Sequence, residues 1–231
     1  MAKIRKNNKR RLSKVQRRSR KVRNQKIGFG ILCLLTVIIG IIKLVNSGLL
    51  SFGYFELNNE KIDTSKPEME VDLLTINPYS RPGSETGKIT GIVVHYTANP
   101  GASAKANRDY FENLKDTHVT KASSNFIIGL NGEIVQCVPT WEVAYASNDR
   151  NKDTVSIECC HPDVDGKFTK ETYRSLVQLS VWLCMKFDLD EDDVIRHYDV
   201  TGKICPKYFV EDEKAWENFR EDVGQALANK E

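Results

Sequence analysis

Ile27 to Val45 is a run of nineteen residues in which Lys43 carries the only charge and no proline occurs. No water-soluble domain of this size readily absorbs such a run. At a rise of about 1.5 Å per residue, a helix over it spans roughly 28 Å, close to the hydrocarbon thickness of a bilayer. Lys43 lies near enough to the end to snorkel. The run reads as a single transmembrane helix over 27–45. The 26 residues before it hold 13 Lys or Arg and no acid, so the overall net charge of +3 hides two opposite segments: the other 205 residues carry 21 basic against 31 acidic side chains. Positive charge held on one side of a span stays in the cytoplasm. The expected arrangement is therefore single-pass, with the N-terminus cytoplasmic and everything after about Asn46 extracytoplasmic.

Two other readings compete. A cleaved signal peptide would use the small residues near Val45-Asn-Ser47, but its apolar stretch usually runs only 7 to 15 residues. A nucleic-acid-binding arm would use the thirteen cations. Placed directly before a span, those cations instead set topology and touch anionic lipid heads, so no nucleic-acid partner is expected.

Residues 46–77 read as a tether, polar and turn-prone around Asn58-Asn-Glu-Lys61 and Asp63-Thr-Ser-Lys-Pro-Glu68. The remaining 78–231 are enough for one ordinary domain, burying roughly 70% of the unfolded chain's surface. Short β-branched runs occur at Ile92–Val94, Phe126–Ile128, Glu133–Val138 and Val155–Cys160. Helix-length amphipathic stretches occur at Ala104–Leu114, Lys170–Phe187 and Glu211–Leu227. Asn131-Gly132 between two strand-like runs signals a hairpin. The fold class is α/β, a mixed central sheet flanked by helices.

The chemistry gathers in Ile195-Arg-His-Tyr-Asp-Val-Thr-Gly-Lys-Ile-Cys-Pro206 and in His95, at the end of an apolar strand. His197 and Cys205 lie eight residues apart with Gly202 between them, so a loop that folds back brings both to one ion. Two imidazoles and a thiolate fill three of zinc's four tetrahedral positions and leave the fourth for water, as in catalytic rather than structural sites. Taken singly, His95 also reads as a hydrogen-bonded core histidine and Cys205 as a loop thiol. His118 and His161 lie in loop-like stretches and are expected to be exposed.

From about Ile89 to Phe219 the sequence resembles the zinc-dependent N-acetylmuramoyl-L-alanine amidases, a peptidoglycan-cleaving fold shared by phage-type amidases and animal peptidoglycan recognition proteins. The resemblance rests on Gly91-Ile-Val-Val-His-Tyr-Thr97, Ser124-Asn-Phe-Ile-Ile128 with Asn131-Gly132, Val155-Ser-Ile-Glu158, and His197-Tyr-Asp-Val-Thr-Gly-Lys-Ile-Cys-Pro206, in family order. It implies Zn2+ on His95, His197 and Cys205, and hydrolysis by zinc-activated water of the amide joining N-acetylmuramic acid to L-alanine. Members differ in their acid/base group. Some place a tyrosine where this chain has Ser124, and others use a glutamate on a later strand, which here is Glu158. Burial among apolar neighbours would raise the pKa of Glu158 toward neutrality. Lys203, two residues before Cys205, is expected beside the carbonyl oxygen that gains charge. Tyr96, Asn125 and Tyr145 are candidates for lining the substrate groove, with simple packing as the other reading. The implied partner is peptidoglycan and the implied location a bacterial cell membrane.

Two alternatives belong to other classes. A membrane-anchored receptor that binds peptidoglycan without cutting it would not need the Cys205 thiolate. A cysteine peptidase would need a base adjacent to its nucleophile. Leaving Cys205 to the metal, Cys137, Cys159, Cys160 and Cys184 permit two disulfides or four buried thiols.

Overall fold

The computed structural model describes residues 62–229 of the 231. The basic tail, the expected span at 27–45 and the first part of the expected tether lie outside the described residues. Among the described residues, no helix is long and apolar enough to cross a membrane.

The sheet has six strands: β1 (Glu70–Val71), β2 (Gly91–Tyr96), β3 (Phe126–Ile128), β4 (Ile134–Gln136), β5 (Thr154–Cys159) and β6 (Val194–Arg196), in the order β1-β4-β3-β5-β2-β6. Only β3 and β4 pair antiparallel. Their connection carries the expected hairpin signal: Gly129 N–H donates to Glu133 O at 2.8 Å, and Gly132 turns at φ 81°. The central strand β2 carries the continuous apolar run Ile92–Val94, as strands covered on both faces tend to, while β5 alternates polar and apolar residues. Ile92, Val93, Val94, Val155 and Ile157 are all fully buried.

Helices cover the sheet. Helix α1 (Ala104–Thr117) starts where the Ser103 hydroxyl accepts the Ala106 N–H, and it buries Phe111 and Leu114. Helix α2 (Lys170–Phe187) starts at Thr169, whose hydroxyl accepts the Thr172 N–H, and ends at Asp188 in the left-handed region, as the apolar spacing predicts. Two five-residue helices follow, α3 (His197–Thr201) and α4 (Lys207–Glu211), then α5 (Glu213–Ala228). Phe209 of α4 packs against Trp216 and Phe219 of α5 with ring centroids 5.3–5.4 Å apart. The helix expected over Glu211–Leu227 begins on the last residue of α4 and otherwise corresponds to α5. The break falls at Asp212, whose side chain caps α5 by accepting the Ala215 N–H.

The tether expected over 46–77 is, in its second half, part of the fold. Glu70 and Val71 extend the sheet beside Val135 and Gln136, and Leu74 is buried. Arg108 on α1 binds the segment down, donating to Leu73 O at 2.9 Å and Asp72 O at 3.2 Å. The attachment uses a two-residue strand, main-chain groups and isolated polar side chains such as Asp72 and Thr75, which leave no periodicity in the sequence. All five described cysteines, Cys137, Cys159, Cys160, Cys184 and Cys205, are free and buried.

Candidate metal centre

Three short pieces of backbone bring His95, His197 and Cys205 together. His95 is the fifth residue of β2, and His197 opens α3 directly after β6. Gly202 ends α3 in the left-handed region (φ 75°), and Tyr198 N–H donates to Cys205 O at 2.9 Å, which folds the loop back on itself. Arg196 anchors the base of this loop: its guanidinium reaches Asp199 at 2.9 Å, Glu213 at 2.7 Å and Phe209 O at 2.9 Å. A ligand atom from each of the three residues lies within 4.8 Å of the other two. Cys205 Sγ is 3.7 Å from His95 Nδ1, and the two imidazole centroids are 4.6 Å apart. Tetrahedral zinc with Zn–N and Zn–S bonds near 2.1 and 2.3 Å holds its ligands about 3.4 to 3.7 Å apart, so the cluster needs little adjustment.

The hydrogen bonds also fit a cation. His197 Nε2 lies 3.0 Å from Asn148 Oδ1 and His95 Nε2 lies 3.1 Å from the Ser147 hydroxyl. His197 Nδ1 is buried with no hydrogen-bond partner, as is Glu158 Oε2. Buried polar atoms normally find partners, and an orphaned imidazole nitrogen beside a thiol is a ligand position. Burial lowers the pKa of His95, with repulsion from His197 and Lys203 adding to it; burial and Lys203 act the same way on His197. Both rings are thus held neutral, the form that ligates. Burial and the neighbouring Glu158 push the Cys205 thiol up to about 12, and a divalent cation bound there would stabilise its thiolate.

Glu158 pairs in register with His95 across the β2–β5 ladder. Burial raises its carboxyl to about 8, against the pull of Lys203. Although part of the residue remains accessible, Oε2 itself is sealed from solvent. The exposed Lys203 exerts its charge on His95, His197, Glu158 and Cys205 alike. The structure therefore unites the five residues expected to hold metal and perform chemistry.

The three groove candidates fare differently. Tyr96 is half-buried, its ring 5.1 Å from that of His161, and Tyr145 is half-buried with Lys121 Nζ 5.6 Å over its ring. Asn125 belongs to the interior. Its Oδ1 accepts the Ser156 N–H at 3.0 Å and the Ser156 hydroxyl at 3.0 Å, and its Nδ2 donates to Pro139 O at 3.1 Å, so its polar atoms are spent on holding β3 to β5 and the 138–142 turn. Of the two other histidines, His118 is exposed and ends α1 in the left-handed region. His161 is buried rather than exposed, because Nδ1 is taken by Asp163 O at 2.7 Å and the ring packs on Tyr96. Sequence reasoning missed Ser147 and Asn148. They sit in the polar run Ser147-Asn-Asp-Arg150, which by composition is only a loop.

The family model for N-acetylmuramoyl-L-alanine amidases matches residues 85–208, more than half of the chain. The chain belongs to that family. It is 36% identical over 171 residues to the N-acetylmuramoyl-L-alanine amidase CwlL of Bacillus licheniformis, covering 69% of this chain and 47% of that one. It is 32% identical over 178 residues to BlyA, an N-acetylmuramoyl-L-alanine amidase of Bacillus subtilis (strain 168), covering 68% and 47%. The chain thus spans about half the length of the curated relatives it matches. The catalytic domain of XlyA superposes with a TM-score of 0.57 at 27% identity, over 68% of this chain and 100% of that one. PlyL, at 22% identity and a TM-score of 0.58, shares the fold.

Proposed function

We propose that the domain is a peptidoglycan hydrolase that cleaves the amide between N-acetylmuramic acid and L-alanine, with zinc held by His95, His197 and Cys205. The observation that carries this reading is the convergence of those three side chains with Glu158 as the register partner of His95. Zinc bound there would supply Lewis acidity toward the carbonyl and toward water. Glu158, sealed from solvent at Oε2 and raised toward neutral pH, takes a proton from water and returns it to the leaving amine. Lys203 faces the negative charge that develops on the carbonyl oxygen. Neutral His95 and His197 hold the metal without adding charge of their own. Tyr96 and Tyr145 remain the groove candidates.

The basic tail and the apolar run at 27–45 support a single-pass location in a bacterial cell membrane, domain outward, where the substrate lies. The test is to incubate the full-length protein with purified peptidoglycan and analyse the products by mass spectrometry. Release of stem peptides with a free N-terminal alanine is expected. Binding to the polymer without new amine would instead indicate a non-catalytic receptor.

A further inference from the structure

The two imidazoles of the centre are gripped alike. Each offers Nδ1 to the site, His95 toward Cys205 Sγ at 3.7 Å and His197 as a buried atom without a partner, while each Nε2 is held by one of two consecutive residues, Ser147 and Asn148. An amide oxygen only accepts, so its contact with Asn148 Oδ1 places the His197 proton on Nε2 and a lone pair on Nδ1. The Ser147 hydroxyl can donate or accept, and it accepts from His95 Nε2 when Nδ1 keeps its lone pair for the site.

The segment carrying these two residues is braced far beyond what an exposed turn requires. Asn151 Oδ1 accepts the N–H groups of both Ala146 and Ser147, at 3.0 and 2.5 Å. Arg150 is pinned by Asp153 at 2.9 Å and donates to the Thr90 hydroxyl at 3.1 Å, ahead of β2. The Thr154 hydroxyl donates to Arg150 O at 2.6 Å, tying the turn to the start of β5. Ser147 is buried, and Asn148 adopts φ 53°, a left-handed conformation that asparagine tolerates better than most residues.

We propose that Ser147 and Asn148 are positioning residues that fix both histidines as Nε2–H tautomers, so that two Nδ1 lone pairs and the Cys205 sulfur converge on one cation. The inference rests on the metal reading above and extends it to the residues that preorganise the ligands. Such outer contacts typically contribute 10- to 100-fold in metal affinity.

The test uses the full-length chain and Co2+ as a spectroscopic probe of thiolate and imidazole ligation. Asn148→Gly deletes the acceptor without straining the turn, Ser147→Ala deletes the hydroxyl, and Asn148→Asp keeps an acceptor oxygen. The first two should weaken Co2+ binding about 10- to 100-fold, and Asn148→Asp should recover most of the loss. Histidine 15N–1H correlation spectra of the metal-free protein give a readout that a purely structural role would not move. His197 should appear as a single Nε2–H tautomer with a slowly exchanging proton in the wild type, and as a mixture with fast exchange in Asn148→Gly. Wild-type affinity in both deletion variants, or a wild-type His197 protonated on Nδ1, would overturn the inference while leaving the metal reading intact. Failure of the wild-type chain to bind Co2+ at all would overturn both.

Discussion

His95 and Glu158 are register partners on adjacent parallel strands. In a parallel ladder, paired residues rise on the same face about 4.8 Å apart, so the proposed ligand and the proposed acid/base group share one surface without any loop needing to position either. Placement of this kind comes from the buried centre of the sheet, where β2 and β5 lie side by side.

That relationship makes Glu158→Gln the sharpest test of mechanism. The substitution keeps shape and burial but removes the titrating proton. Metal content and peptidoglycan binding should be retained while turnover falls by roughly 10² to 10⁴, the usual size of an acid/base contribution. Lys203→Ala should also retain metal and lose less. Undiminished release of N-terminal alanine by Glu158→Gln would remove Glu158 from the proton path.

The metal assignment predicts about one zinc per chain, lost together with activity in Cys205→Ser and in His197→Ala. Elemental analysis of the purified variants reads this directly. If Cys205→Ser kept both full occupancy and full activity, the thiol would revert to a plain core residue.

Much of this site was legible in the sequence, because ligand chemistry is tied to residue type. His95 at a strand end and His197 and Cys205 around Gly202 come within reach of one another, Glu158 is the register partner of His95, and the charge of Lys203 reaches Glu158 and Cys205. What escaped was set by partners distant in sequence. Asn125 looked like a groove residue, but its amide is consumed by Ser156 and Pro139. His161 looked exposed, but the ring of Tyr96, on a distant strand, packs against it, while its Nδ1 contacts the nearby Asp163 O. Ser147 and Asn148 had no signal beyond loop composition. Strands β1 and β6 and the helices α3 and α4, at two to five residues, are too short for a periodicity to show.

Asn125→Ala separates interior from groove. It leaves the Ser156 N–H without its acceptor inside the protein, so a loss of about 2 to 3 kcal/mol in unfolding free energy is expected, with KM per folded molecule near that of the wild type. Urea denaturation alongside steady-state kinetics decides between the roles. Unchanged stability with a raised KM would return Asn125 to the substrate groove.

The charge asymmetry predicts topology. Thirteen cations precede Ile27, and reversing the segment would drag them all through the bilayer. Protease added to wall-stripped cells should digest the domain and spare an N-terminal tag. A protected domain would reverse the orientation, and a soluble form starting near Gly48 would show a cleaved signal.

Glu112 predicts how the fold answers acid. Burial alone would raise its carboxyl, but hydrogen bonds from Lys115 at 2.6 Å and from the hydroxyl and N–H of Thr75 at 2.6 and 3.0 Å, with Arg108 nearby, pull it down to about 2. Its folded pKa lies below the ordinary value of 4.5, so the folded state favours the charged form. The stabilisation is present above about pH 4.5 and is lost as pH falls toward 2. After allowance for solvent screening at this partly accessible site, Glu112→Gln should cost about 1 to 2 kcal/mol at pH 7. That gap should narrow steadily below pH 4.5, because the wild-type carboxyl is then neutralised in turn. Thr75 lies in the segment that Arg108 clamps to α1, so the same titration should release that segment first and expose residues 68–77 to proteolysis before the core unfolds. A gap between wild type and Glu112→Gln that stays constant from pH 7 to pH 2.5 would show that the carboxylate contributes nothing through its charge.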